Sequence, residues 1–101
     1  MKNKTSKLRN LEKNRYSILT ENLESCYICG SSPVDIHEIY GGSNRKISMQ
    51  NGFCLPVCRT HHRLLTDDNK ASEYFKQKSQ GKFEETHERK EFMNLIGKNY
   101  L

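Results

Sequence analysis

Two short pairs of metal-ligating residues, Cys26-x2-Cys29 and Cys58-x2-His61, constrain this chain more than any other feature of it. A two-residue gap lets both side chains of a pair turn onto one ion. Three thiolates and one imidazole then complete a closed tetrahedral site. Deprotonated cysteines and a neutral imidazole suit a borderline-soft ion such as zinc. Residues 30–57, between the pairs, are long enough for a strand, a loop and a second strand. Cys54 offers an alternative, since with Cys58 it would make an all-cysteine site that leaves His61 out. A three-residue gap inside a strand converges less readily than a turn, so His61 is favoured as fourth ligand. Cys54 then reads as a small buried hydrophobe.

The composition explains why a staple is needed. Of 101 residues, 34% are hydrophobic and 29% charged, so a domain of this size is marginal on apolar burial alone. No charged segment followed by an apolar run suggests a secretory signal, and no apolar run approaches the roughly 18 residues of a membrane span. A soluble, cytoplasmic chain with reduced thiols is therefore expected, which favours metal over disulfides. The formal net charge of +5 favours a polyanionic partner.

Along the chain, residues 1–23 read as a basic N-terminal arm, mobile or partly helical, carrying Lys2, Lys4, Lys7, Arg9, Lys13 and Arg15. Tyr16, Ile18, Leu19 and Leu23 have a short helical spacing. Residues 24–101 form the domain proper. Val34 to Tyr40 reads as a strand, with Val34, Ile36 and Glu38 on one face and Asp35, His37 and Ile39 on the other. Gly41 to Asn44 is a turn or loop, and Phe53 to Val57 a second strand ending beside Cys58. From Thr60 onward the pattern is helical, with Gly81 separating two helices and the Phe92–Gly97 stretch packing back on the metal region. The fold class is α+β.

A closed four-ligand metal site has no open position for chemistry. That leaves His37, Glu38 and His62 unexplained, and a staple at Cys26, Cys29, Cys58 and His61 would draw their two regions together.

At this point the chain resembles the HNH endonucleases, the ββα-metal nucleases. The matching residues are Cys26-x2-Cys29, then Asp35-Ile36-His37-Glu38-Ile39-Tyr40-Gly41-Gly42, then Leu55-Pro56-Val57-Cys58-Arg59-Thr60-His61-His62. The Phe92–Leu101 end is similar to the tail of small HNH proteins of phages and prophages, which implies a phage or prophage origin in a bacterial host. The resemblance covers residues 24 to 101. It implies a small zinc-stapled ββα-metal domain with flanking helices that hydrolyses phosphodiester bonds in double-stranded DNA, as a monomer, a homodimer or part of a phage protein complex. It also implies a strand histidine as general base and a catalytic Mg2+ or Mn2+ besides the structural zinc. His62 is then a ligand of the catalytic ion.

The family pairs a ligand and a base at adjacent positions, where this chain has His37-Glu38. Either His37 is the base, with Glu38 or Asp35 helping to hold the ion, or Glu38 is the base and His37 the ligand; the first is favoured. The supporting asparagine is Asn51 or Asn44, and Asn51-Gly52 is equally a good turn dipeptide. Arg45, Lys46, Arg59 and Arg63 flank the proposed centre and are expected to neutralise phosphates. His87 lies in a highly charged stretch and takes no role. The competing expectation is a catalytically inactive zinc-stapled module that binds nucleic acid or another protein.

Overall fold

The computed structural model describes residues 6–101, with side chains from residue 9 onward. Lys2 and Lys4 of the basic arm lie outside the described residues. The elements run α1 (Ser6–Lys13), β1 (Asp35–Glu38), a 3-10 turn (Gly42–Asn44), α2 (Arg45–Asn51), β2 (Cys54–Val57), α3 (Arg59–Asp67), α4 (Asn69–Phe83) and α5 (Arg89–Ile96). The result is a small α+β domain with one two-stranded sheet. Among the described residues no helix is long and apolar enough to cross a membrane.

β1 and β2 pair antiparallel, Asp35 with Val57, Ile36 with Pro56, His37 with Leu55 and Glu38 with Cys54. Cross-strand partners share a face, so the register sorts the sheet into two sides. Leu55 and Val57, fully buried, share their face with His37 and Asp35. Cys54 lies on the other face with Glu38. Pro56 has no N–H to give, but its carbonyl accepts from Tyr27 N at 2.8 Å, which docks the first cysteine turn on the outer edge of β2.

Phe53 is the hub of the core. Its ring meets Tyr40 at 5.2 Å, Phe83 at 5.5 Å and Phe92 at 5.9 Å between centroids, in edge-on arrangements. The Phe92–Gly97 stretch thus packs on the aromatic core, with Phe92 fully buried.

Several local expectations change. Residues 16–23 are irregular and not helical. The hydroxyls of Ser17 and Thr20 and the amide oxygen of Asn22 accept from the backbone N–H two residues on, which competes with a helical turn. Ile18 N also donates to Gly52 O at 2.9 Å, stitching the segment to the domain. Beyond the Gly41–Asn44 loop stands an unexpected helix, α2. Its buried Ser48 holds it in place: the hydroxyl donates to Tyr40 O at 2.7 Å and accepts from Tyr40 N at 3.1 Å. Gly81 does not separate two helices, because α4 runs through it. Buried Ser79, Gln80 and Phe83 hold that turn helical against the modest cost of a glycine. The break falls at residues 84–88 instead. The strands are also shorter than expected, Asp35–Glu38 and Cys54–Val57, although Ile39 N still bonds Phe53 O at 2.8 Å.

Candidate metal centre and adjoining groove

The first cysteine pair sits in a tight turn: Gly30 N donates to Cys26 O at 2.7 Å, and Gly30 takes φ +78°. The second pair is built differently. Cys58 caps α3 and His61 lies three residues on, so one helical turn stacks the two side chains on one face. The ligand atoms of Cys26, Cys29, Cys58 and His61 all lie within 4.8 Å of one another. Cys29 Sγ and Cys58 Sγ are 3.8 Å apart, and His61 Nδ1 is 3.5 Å from Cys26 Sγ and 3.3 Å from Cys58 Sγ. With Zn–S near 2.3 Å and Zn–N near 2.1 Å, a tetrahedron has S···S edges of about 3.8 Å and S···N edges of about 3.6 Å. The four residues therefore have the size and donor chemistry to hold a zinc ion.

The thiols are tuned the same way. Burial of Cys26 opposes ionisation, but hydrogen bonds from the backbone of Cys58, Cys29 and Ile28 and from His61 outweigh it and bring the thiol down to about 6. Cys58 is lowered too, chiefly by the backbone of His61. Cys54 stands outside this group. It is fully buried, burial raises its thiol to about 12, and its Sγ lies 3.8 Å from Ser48 O.

Beside the cluster, β1 and α3 bring a second set of groups together. His62 follows His61, so it points about 100° further round the helix, toward β1. Its Nδ1 lies 3.1 Å from Asp35 Oδ2, and Arg59 Nε donates to the same oxygen at 3.0 Å. The His62 and His37 rings are 5.3 Å apart, edge to face. Asp35 and His37, two residues apart on β1, present the same face to α3. Burial, then the positive field of His62, holds His37 down to about 4, with Glu38 opposing and Lys76 adding to the shift. A neutral imidazole at neutral pH is the form that can accept a proton. The His62 hydrogen bond outweighs the opposing effect of burial and, with Arg59 adding to it, keeps Asp35 below the usual carboxylate range.

Asp35, Arg59 and His62 line open space. A groove of about 560 Å3 is bounded by Arg15, Val34, Asp35, Ile36, Arg59 and His62. A further hollow of about 260 Å3 continues along Arg59, His62, Arg63, Thr66 and Asp67. A more enclosed cavity of about 430 Å3, between Tyr16, Asn51, Phe83 and His87, shares no lining residue with the groove. Its only imidazole, His87, stacks flat on Phe83 at 4.0 Å.

The structure thus gathers Asp35, His37, His62, Arg59 and Arg63, but neither Glu38 nor Asn51. Glu38 lies on the opposite sheet face, where its carboxylate accepts from Arg15 Nη1 and, at 2.9 Å, from Arg45 Nε. Arg45 also pairs with Glu12. Arg45 is thereby tied into the link between α1, α2 and β1, and Lys46 is exposed beside it on α2. Asn51 ends α2 and donates to Ile47 O at 2.9 Å, while Asn44 donates to Ile96 O at 3.1 Å. Nothing in a charged helix marks Lys76 in the sequence as the lysine whose charge reaches a strand histidine. Comparison with protein-family models, characterised proteins and solved structures finds no match, so what the groove can do is read from its own geometry.

Proposed function

We propose that the chain is a metal-dependent endonuclease of the HNH type, with a zinc-stapled ββα-metal centre, that hydrolyses phosphodiester bonds in DNA. The observation that carries this reading is the pairing of Asp35 with His62 on one groove, the His37 ring set against that of His62, beside a separate Cys3His cluster. One cluster serves as the staple, and the other has open space in front of it.

The pair would offer one carboxylate oxygen and one imidazole nitrogen to a divalent ion. His62 Nδ1 and Asp35 Oδ2, 3.1 Å apart, are the two atoms that would hold it. A Mg2+ or Mn2+ held by these two residues would polarise the phosphoryl oxygen and stabilise the leaving 3′ oxygen. His37, neutral and across from His62, takes the proton of the attacking water as its oxygen bonds to phosphorus and the P–O3′ bond breaks. Arg59 and Arg63 neutralise flanking phosphates.

The runner-up, a nucleic-acid-binding or protein-interaction module without catalysis, draws on the Arg59 contact that already occupies Asp35. Nicking of supercoiled plasmid separates the two. Zinc-loaded protein with Mg2+ or Mn2+ added should convert the plasmid to open circles, and folded His37→Ala and His62→Ala should not. Binding by all three without cutting favours the module.

A further inference from the structure

Residues 97–101 are fixed against α4. Fully buried Gln80 accepts from Tyr100 N at 2.8 Å and donates to Asn99 Oδ1 at 2.8 Å, and Gln77 Nε2 donates to Tyr100 O at 3.0 Å. The Tyr100 ring rests 5.5 Å from that of Tyr40, which in turn donates its hydroxyl to Lys76 O at 2.6 Å. This clamp has an electrostatic result. Lys76 Nζ lies 5.5 Å and Lys98 Nζ 4.9 Å from the centre of the Tyr100 ring. The two ammonium groups are therefore within about one Debye length, about 10 Å at 0.1 M salt, of each other.

Among the described residues neither lysine makes an ion pair. Glu73, on the same helix, contributes negative charge near Tyr100 but pairs with neither. Ring faces attract cations, and two ammonium groups at one ring against the single nearby carboxylate of Glu73 leave a net positive charge that favours an incoming anion. The position matters as well. Tyr40 lies three residues beyond His37, and Lys76 is close enough to His37 to act on its charge state.

We propose that Lys76 and Lys98, gathered on Tyr100, act with Arg59 and Arg63 as a phosphate-binding track, with the backbone of duplex DNA as occupant. What the track serves rests on the nuclease reading, whereas phosphate binding along it does not require cleavage.

The test is fluorescence anisotropy of a short labelled DNA duplex across a salt titration, with no divalent ion added. Zinc-loaded parent, the Lys76→Gln/Lys98→Gln double variant and Lys90→Gln, an exposed lysine on α5, are compared. Loss of two phosphate contacts should flatten the slope of log K against log salt by about 1.8 and weaken binding about 30-fold near 0.15 M salt. Lys90→Gln should leave both unchanged. If the double variant proves unstable, exposed Lys98→Gln alone should show about half the slope change. Parental slope and affinity in the lysine variants overturn the track, and so does a parent that shows no salt-dependent binding. A slope change confined to an RNA duplex of the same sequence overturns the assignment to DNA. If the parent binds as expected but cuts nothing once Mg2+ is added, the nuclease reading falls and the track stands.

Discussion

Replacing Glu38 by Gln should cost stability and spare the chemistry. The Glu38 side chain is only 13% exposed and its two oxygens serve two guanidinium groups, Arg15 and Arg45. Gln keeps the shape but offers one acceptor oxygen and turns an N–H2 toward a cation. A hydrogen bond to a charged group contributes about 1.5–3 kcal/mol when shielded, and this describes the Arg15 side. Arg45 is 40% exposed and keeps Glu12, so its share is screened to about 0.5–1 kcal/mol. The total is about 2–4 kcal/mol, or roughly 10–20 °C in melting temperature for a domain of this length. Circular dichroism melts of zinc-loaded parent and Glu38→Gln measure it. Below the melting transition the variant should nick plasmid at a rate close to the parent's. A variant that melts within about 2 °C of the parent yet has lost nicking would refute this and return Glu38 to the chemistry.

Three further outcomes follow from the staple and the core. Chelation of the metal should unfold the chain, because a structural zinc supplies about 10–16 kcal/mol and a domain this small holds about 5–15 kcal/mol in all; a chelator-treated protein with unchanged far-ultraviolet dichroism and melting would contradict it. Cys54→Ser should keep one zinc per chain by elemental analysis while His61→Ala loses it, and the reverse would make Cys54 the fourth ligand. Gly52→Ala should destabilise by at least about 2 kcal/mol, from left-handed backbone strain plus displaced neighbours. Gly52 has φ +74°, and a Cβ there would sit 2.5 Å from Tyr16 Cε2 and 2.8 Å from Ile18 Cγ2. Amide exchange at Ile18 should rise with it, and an unchanged melt would show that segment 16–18 does not rest on Gly52.

What could be read from the sequence was local. The Cys26-x2-Cys29 and Cys58-x2-His61 spacings set ligand positions within single turns, so the cluster was legible before any fold. The period of two along β1 separates Asp35 and His37 from Glu38, and the pairing register agrees. What was not legible depends on partners far along the chain. Helix α2 carries no apolar stripe to announce it; it is fixed by Ser48 bonding both backbone groups of Tyr40. Arg45 reads as a phosphate contact until Glu12 and Glu38 arrive from α1 and β1. Gly81 reads as a break until its buried neighbours Gln80 and Phe83 are seen to hold the turn. Lys76 and Lys98 meet only because Gln80 clamps residues 99 and 100.

The most direct measurement of the central claim is plasmid cleavage by His37→Ala with and without added imidazole, beside the parent, all zinc-loaded and supplied with Mg2+. A base that acts through its ring nitrogen leaves a gap that free imidazole can fill. The parent should nick, the variant alone should not, and imidazole at concentrations that do not speed the parent should restore part of the activity. A folded parent that leaves the plasmid intact, or a His37→Ala protein that cuts at the parental rate, would contradict that claim.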